Sequence, residues 1–318
     1  MKKVISFMAI SILLFSITSI KAYADSEPFD IKKAIKVGND YIKELNISNV
    51  YKLIDIGEGT EHAYLNYSVS RSDSINTGSL DNIILKVVKQ ENDYFVESYQ
   101  DKANKQVYID NGNLRIRDEE IGKSQLLITL NNFPKTILEN KKNSTIKQDI
   151  VNNSISNLCI GLDGKKIAII TEDNNFNYIY VANVEDSKGS KPSNPNEGVD
   201  PKLGNILERP VADKLSSYGI LKDYEIQKVV FSKDDGELIF QLKKDNNLTV
   251  KIYKNPVGDD ISSTLENNFP SDKYDVTIDS INQNGNFINV SEKGSDKKIK
   301  YDLDIKGKNI DPRLVKDE

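Results

Sequence analysis

The chain has 318 residues, a formal net charge of −5, one Cys, one His and no Trp. One Cys excludes a scaffold held by intramolecular disulfides, and one His excludes a metal site built on two or three imidazoles. The Lys residues are scattered among Asp and Glu, which argues against a nucleic-acid binder, because phosphate contacts need clustered cations.

The first 24 residues have the three parts of a secretory signal peptide. Two Lys follow the initial Met, an apolar stretch runs from Val4 to Ile20, and Ala22-Tyr23-Ala24 forms a small-x-small cleavage site. We expect cleavage after Ala24 and a secreted or cell-envelope protein that meets the membrane only through this signal. The alternative is a retained N-terminal helix, although the apolar stretch is shorter than the roughly 20 residues that span a bilayer.

Residues 25–185 are predicted to form an N-terminal domain that opens with a helix. Apolar residues recur at helical spacing from Ile31 to Leu45, with Asp30 as N-cap and Asn46 as terminator. A weaker helical stretch is predicted between Lys135 and Ile155. Strands are predicted at Tyr51–Ile56, Ala63–Val69, Asn82–Val88, Tyr94–Tyr99, Gln106–Ile109, Leu114–Ile116, Lys166–Thr171 and Asn177–Val181.

Residues 186–204 are predicted to be an exposed linker. The segment is rich in Pro, Gly and Ser and has no periodic apolar residues, so it cannot bury enough surface to offset the entropy of ordering it. The alternative is a long surface loop within one domain.

Residues 205–318 are predicted to form a C-terminal domain with the plan αβββαβββ. Its first helix is predicted near Val211–Tyr218, with Gly219 as a left-handed C-cap, and its second helix starts at Asp259 or Asp260. Its strands are predicted at Glu225–Phe231, Glu237–Leu242, Leu248–Tyr253, Tyr274–Asp279, Asn286–Val290 and Lys297–Leu303.

Together these elements predict an α+β fold of two β-rich domains, each an opening helix followed by antiparallel meanders. The run Gly161–Ile170 is typical of one strand pair of a propeller blade. A propeller needs several such units, and we expect the rest of the chain not to supply them.

Most common catalytic chemistries lack their residues here. Any Ser-His-Asp triad would have to use His62, which reads as an ordinary loop or strand-edge residue. Cys159 lies in an apolar run and reads as a small buried hydrophobe rather than a reactive thiol. The chain has no phosphate-cradling loop or dinucleotide fingerprint. We therefore predict no catalytic, cofactor-binding or metal-binding residues and no cofactor.

Tyr178 and Tyr180 share one face of a predicted strand and are the candidate ligand-binding surface. Stacked tyrosines of this kind can hold a sugar or a peptide, but cross-strand packing is the alternative interpretation of the same pattern.

The leading hypothesis is an exported binding or interaction protein of a bacterial envelope, without catalytic activity. Its partner would be an envelope protein, a peptide or a wall polymer; the Lys-, Asn- and Ile-rich composition is typical of AT-rich bacterial genes. One alternative is a secreted glycan hydrolase that uses a carboxylate pair, which sequence cannot exclude. The other is a membrane-tethered envelope regulator that retains its N-terminal helix.

Overall fold

The computed structural model describes residues 28–316, except 75–76, 112, 120–121, 130–132, 134–135, 139–144, 148–154, 174, 185–209 and 255–257. The predicted signal peptide and the predicted linker therefore lie outside the described residues, and the division into two domains at that linker stays a prediction.

The described residues are mostly antiparallel strands, so the predicted α+β fold is wrong. They contain two helices, α1 (Ile31–Glu44) and α2 (Ser263–Asn268). The strands are β1 (Tyr51–Glu58), β2 (His62–Ser74), β3 (Thr77–Gln90), β4 (Asp93–Asp110), β5 (Asn113–Asp118), β6 (Lys123–Thr129), β7 (Thr136–Leu138), β8 (Thr145–Lys147), β9 (Ile155–Ile160), β10 (Lys166–Asp173), β11 (Phe176–Val184), β12 (Ala212–Lys222), β13 (Glu225–Phe231), β14 (Glu237–Lys244), β15 (Asn247–Lys254), β16 (Asp259–Asp260), β17 (Tyr274–Asn282), β18 (Gly285–Glu292), β19 (Lys298–Lys306) and β20 (Asn309–Leu314).

The strands form successive meanders. β1 to β6 make a six-stranded sheet in chain order, and three four-stranded sheets follow, made by β9–β12, β13–β16 and β17–β20. β7 and β8 pair with each other in a separate small sheet.

The chain divides into two compact units. The first takes the described residues up to Leu45 together with Ile56–Leu65 and Ile84–Tyr99. The second takes Asn46–Asp55, Asn66–Ile83 and everything from Gln100 onward.

In the first unit, helix α1 begins where the sequence predicts. The Asp30 carboxylate accepts hydrogen bonds from the backbone N–H groups of Lys32 at 2.9 Å and Lys33 at 3.4 Å, which satisfies two of the unpaired donors of a helix start. Ala34, Gly38 and Ile42 lie on one side of the helix at helical spacing and are buried. The amphipathic pattern therefore located this element correctly.

In the second unit, three apolar cores separate the sheets. One face of β9–β12 packs against residues of β3 to β6, and its other face packs against β13–β16. The far side of β13–β16 packs against β17–β20 and α2. In β10, for example, Ile167 and Ile169 enter one core while Ala168 and Ile170 enter the next. Strands buried on both faces read as continuous apolar runs rather than as alternating ones.

The helix predicted near Val211–Tyr218 is a strand. β12 pairs along its length with β11, and its apolar residues enter two cores, with Leu215 and Ile220 on one side and Tyr218 and Leu221 on the other. Gly219 is not a helix cap. It has φ +141° and lies next to a register shift, where a side chain would press on the Tyr253 ring.

The two remaining predicted helices are also revised. Within the weaker helical stretch from Lys135 to Ile155, the described segments β7 and β8 are strands. The helix predicted from Asp259 or Asp260 is only the six residues of α2, because Asp259 and Asp260 pair with β15 as strand β16. Ile261 and Leu265 are buried.

Candidate functional site

The first strand of each four-stranded sheet carries a one-residue β-bulge. Ser156 is the extra residue of β9, Gln227 that of β13 and Asp279 that of β17. Each bulge lies three or four paired residues from the first hairpin turn of its sheet. Bulges re-aim side chains and are enriched beside functional sites. Because a bulge recurs on the first strand of each of the three sheets, the space beside these strands is a candidate site.

A polar cavity of about 270 Å³ lies beside two of these strands, β9 and β13, within the second unit. It is slightly smaller than the roughly 300–1,000 Å³ that is typical of ligand sites. β9, β13, the segment before β1 and one residue of β2 supply its wall. The residues that line it are Ile47, Ser48, Asn49, Val50, Ser70, Asn157, Cys159, Gln227, Lys228, Val229 and Val230.

Backbone and hydroxyl groups fix the segment that precedes β1. The Ser48 hydroxyl accepts from the Val50 N–H at 3.1 Å and donates to the Ser70 carbonyl at 2.6 Å. Val50 also forms a parallel bridge with Ile281 of β17, and the Ile281 N–H donates to the Asn49 carbonyl at 2.8 Å. The segment is therefore tied at once to a first-sheet strand and to the last sheet, so that its side chains are held in place on the cavity wall.

Asn49 joins two sides of the cavity through its side-chain amide. The Lys228 ammonium donates to its Oδ1, and its Nδ2 donates to the backbone carbonyl of Asp279. The carbonyl that receives this bond belongs to the bulge residue of β17, and Lys228 directly follows the bulge residue of β13. The bulges thus position the partners of Asn49.

The carboxylate of Asp279 is engaged away from this amide. It pairs with the Lys300 ammonium at 2.5 Å and accepts from the Asn289 amide at 2.9 Å. Burial alone would raise the pKa of Asp279, but the Lys300 hydrogen bond and charge outweigh it and lower that pKa. Asp279 is therefore ionised and compensated at neutral pH.

Cys159 is the one thiol on the cavity wall, and it is not a nucleophile. Its side chain is 1% exposed, and burial raises its pKa to about 12. A thiol is reactive only as the thiolate, so this group stays protonated and inert at physiological pH. The prediction that Cys159 is a small buried hydrophobe is confirmed.

Asp235 holds the turn that follows β9. Its two carboxylate oxygens accept from the backbone N–H groups of Leu162 and Asp163, each at 2.9 Å, and Lys166 donates to its carbonyl at 2.5 Å. The side chain is 4% exposed, and burial together with the neighbouring Asp163 raises its pKa to about 6. This carboxyl therefore fixes the relation between β9 and β13, the two strands that carry most of the cavity wall.

The predicted site residues lie elsewhere. Tyr178 and Tyr180 are both buried in the core between β9–β12 and its neighbour, and the Tyr180 ring packs edge-on against Phe133. This location matches the packing interpretation of the pair, and neither ring borders the cavity. His62 lies at the start of β2, where its imidazole packs against Tyr64 with ring centroids 5.3 Å apart.

The cavity residues carry little local signal, because Asn, Ser, Gln and Lys are common in this chain. A repeated hairpin is the signal that could have found them. The turn after β9 reads Gly-Leu-Asp-Gly from Gly161, and comparable Asp-Gly or Asn-Gly turns follow β13 at Asp235-Gly236 and β17 at Asn284-Gly285. Hairpins with such turns thus open all three four-stranded sheets.

A second cavity of about 500 Å³ lies beside the β14–β15 turn and α2. Two charged groups on its wall, Lys244 and Glu266, have partners. Lys244 lies 5.3 Å from the centre of the Tyr224 ring, and Lys251 pairs with Glu266 at 2.8 Å and with Asp260 at 3.2 Å.

Among the described residues, no cluster of three or more His, Cys, Asp or Glu side chains is placed to hold a metal ion. Within the same residues, no helix has the length and apolar character required to cross a membrane.

No family model and no curated protein matches this chain. Among solved structures, oligopeptidase B from Leishmania major is similar with a TM-score of 0.31 and 8% identity, over 88% of this chain and 36% of that one. Oligopeptidase B from Trypanosoma brucei, with covalently bound antipain in its closed form, gives a TM-score of 0.33 and 11% identity over 87% and 35%. A protein from Lactobacillus plantarum gives 0.29 and 12% over 85% and 70%.

The chain thus spans little more than a third of the length of the two oligopeptidases. At TM-scores near 0.3, none of these likenesses bears on the function of the cavity.

Proposed function

We propose that this chain is an exported binding protein of a bacterial envelope that holds a small polar ligand in the cavity beside β9 and β13, without turning it over. The observation that carries the proposal is the wall itself. Its polar side chains come from four separate stretches of sequence, and internal hydrogen bonds pre-position Ser48, Asn49 and Ser70. A wall that is ordered before binding lowers the entropy cost of capturing a ligand.

The same wall argues against the hydrolase alternative at this site. No Asp or Glu is among the described residues that line the cavity, and its thiol is inert. A glycosidase needs two carboxyl groups that face the substrate. Asp163 and Asp235 do interact, but Asp235 is buried and both its oxygens are used by backbone amides.

Export is supported by the N-terminal pattern alone and needs its own test. Intact-mass analysis of the protein recovered from culture medium and from washed envelopes should give a mature N-terminus at Asp25. A precursor mass in the membrane fraction would instead favour the tethered regulator.

Binding is tested with soluble fragments from a muramidase digest of bacterial cell wall. Equilibrium dialysis against the mature protein, followed by mass spectrometry, should show fragments retained by the protein and unchanged in mass. Gln227→Trp places a large ring at the exposed bulge residue on the cavity wall and should abolish retention.

Gln90→Trp, at the exposed end of β3, is the matched control and should retain the fragments as the unaltered protein does. If the Gln227→Trp variant still retains the fragments, they do not bind in this cavity. Shortened fragments in the dialysate would show that the protein cleaves them and would favour the hydrolase alternative.

A further inference from the structure

Most hydrogen-bond donors on the cavity wall already have acceptors within the protein. The Ser48 and Ser70 hydroxyls donate to the carbonyls of Ser70 and Ile160, at 2.6 and 2.7 Å. The Cys159 thiol contacts the Ile160 carbonyl at 3.8 Å, and the Asn49 side chain accepts through its oxygen and donates through its nitrogen. These groups therefore shape the cavity and have few hydrogen bonds left for a ligand.

The charges on the wall favour a neutral ligand. Lys228 is bonded to Asn49 Oδ1 and makes a further contact within the protein, so an anion would have to displace these partners. No Asp or Glu is among the described residues that line the cavity, so a cation would lose its hydration without meeting a counter-charge.

Two carboxamide groups on the wall keep unused hydrogen-bonding atoms. Gln227 is the exposed bulge residue of β13, and its side-chain amide has no hydrogen-bond partner among the described residues. Asn157 follows the bulge residue of β9; its nitrogen donates to the Ser156 hydroxyl at 3.4 Å, and within the same residues its oxygen has no partner. Each carboxamide holds an acceptor oxygen and two N–H donors in one plane, so both strands offer the cavity a donor and an acceptor.

The apolar part of the wall is aliphatic. Ile47, Val50, Val229 and Val230 line the cavity, and no aromatic ring is among its described lining residues. Such a wall suits a small alkyl group and offers no ring on which a sugar could stack. The cavity volume of about 270 Å³ equals the liquid volume of roughly nine water molecules, which is enough for one chemical group of a ligand and its immediate neighbours.

We infer that the cavity binds its ligand through a secondary amide group, whose N–H and C=O pair with the carboxamides of Gln227 and Asn157. The inference rests on the proposed function and names the chemistry of the ligand. A secondary amide is neutral, combines one donor with one acceptor and carries alkyl groups on both sides. It occurs in the N-acetyl group of amino sugars and in the peptide bond of short peptides, and the two sources share the same recognition.

N-Methylacetamide is the simplest probe, and methyl acetate is its matched control, because the ester keeps the size and the carbonyl but lacks the N–H. In ¹⁵N-resolved NMR spectra of the full mature protein, the amide should shift the side-chain signals of Asn157 and Gln227. The ester should need at least a tenfold higher concentration for the same shift, because one hydrogen bond is lost. Equal shifts with the two probes, or no shift with either, would overturn the inference.

A variant at the bulge of β13 tests the contact from the protein side. Gln227→Leu replaces the carboxamide by an apolar group of similar size at an exposed position, so the fold should be retained. The Asn157 signal of this variant should need at least tenfold more N-methylacetamide for the same shift. Gln90→Leu, at the exposed end of β3, is the matched control and should respond as the unaltered protein does. An Asn157 response that is the same in Gln227→Leu would contradict the role of Gln227.

Matched ligand pairs separate the two sources. N-acetylglucosamine and glucose differ in the N-acetyl group, and N-acetylglycine methylamide and methyl acetoxyacetate differ in having amides or esters. We expect the amide of at least one pair to bind tenfold or more tighter than its partner. A preference in the first pair alone identifies an amino sugar, and one in the second pair alone identifies a peptide. If neither pair shows a preference, the inference is wrong.

The outcomes keep the inference apart from the proposed function. If wall fragments bind and Gln227→Trp blocks them, but amide and ester probes act alike, the cavity is a ligand site and the amide assignment is wrong. If fragments are retained equally by Gln227→Trp, the function proposed for the cavity fails first.

Discussion

Two aspartates near the cavity, the buried Asp235 and the half-buried Asp279, are held in opposite ways. Asp235, in the turn after β13 at φ +52°, is surrounded by backbone N–H donors and by the acid Asp163, and its pKa is raised to about 6. Asp279, in the bulge of β17, is paired with Lys300, and its pKa is lowered.

The difference shows how each kind of contact affects the position and the pKa of a carboxyl group. Two amide hydrogen bonds fix the position of the Asp235 carboxyl, but they do not offset the cost of burying its charge beside another acid. A lysine offsets that cost for Asp279. The Asp235 carboxyl therefore holds the turn in place and favours its neutral form, whereas Asp279 is held as a charged carboxylate. A change in pH should alter their contributions to the free energy of unfolding with opposite sign.

The largest effect is expected from Asp235→Ala. The substitution leaves the buried Leu162 N–H and the half-buried Asp163 N–H without their acceptor, and a buried unpaired N–H costs about 1–3 kcal/mol. We expect the free energy of unfolding at pH 5 to fall by about 2–4 kcal/mol, measured by urea denaturation. Asp234→Ala, at the exposed neighbouring position, is the control and should change it by less than about 0.5 kcal/mol. Equal losses for the two variants would show that the turn does not depend on the buried carboxyl.

The pH dependence of Asp235 gives the next effect. Its folded pKa lies above its unfolded value of roughly 4, so its protonated form contributes stability that is complete below pH 4 and is lost as the pH rises through about 6. Relative to Asp235→Asn, the unaltered protein should lose about 2 kcal/mol between pH 4 and pH 7. A difference between the two proteins that is flat across this range would contradict the raised pKa.

Local sequence signals predicted the elements whose stability is local. Helix α1 has a continuous apolar side and an N-cap residue within its own first turn, and both features are visible in order along the chain. The strand Glu225–Phe231 was predicted to the residue, because turn residues bound it on both sides. Most other predicted strands are observed with shifted ends, but the predicted strands Tyr94–Tyr99 and Gln106–Ile109 are parts of one strand, β4.

Elements fixed by distant partners were missed. The spacing of Val211, Leu215 and Tyr218 is that of a helix, but pairing with β11 and burial on both faces made this segment a strand. Strand β9 is also buried on both faces, so its sequence lacks the alternation of apolar and polar residues that would predict a strand. The cavity depends on three bulges and on four separated stretches, and pairing register is a property of two strands that neither sequence shows by itself.

Lys300→Met should have a smaller effect with the opposite pH sign. Asp279 contributes stability that is present above its unfolded pKa and is lost as the pH falls through its lowered folded pKa. At pH 7 we expect a loss of about 1 kcal/mol or less, because the Lys300 side chain is 34% exposed and solvent screens the pair. Lys298→Met, two residues earlier on the same strand and exposed, is the control. A variant that gains stability on going from pH 3 to pH 7 as steeply as the unaltered protein would contradict the role of Lys300.

The smallest effect is expected for Lys86→Met in the first unit. This variant tests whether the stabilisation by an ion pair depends on its burial rather than on its N–O distance. Lys86 meets Glu97 at 2.5 Å, the same separation as Lys300 and Asp279, but Glu97 is 49% exposed. Exposed pairs gain little, because water and salt already stabilise both charges. The Tm of Lys86→Met should therefore match that of the unaltered protein at both low and high salt, while Lys300→Met lowers it. If the two variants lower the Tm equally, the N–O distance rather than burial determines how much each ion pair stabilises the protein. Burial would then not explain the contrast between Asp235 and Asp279.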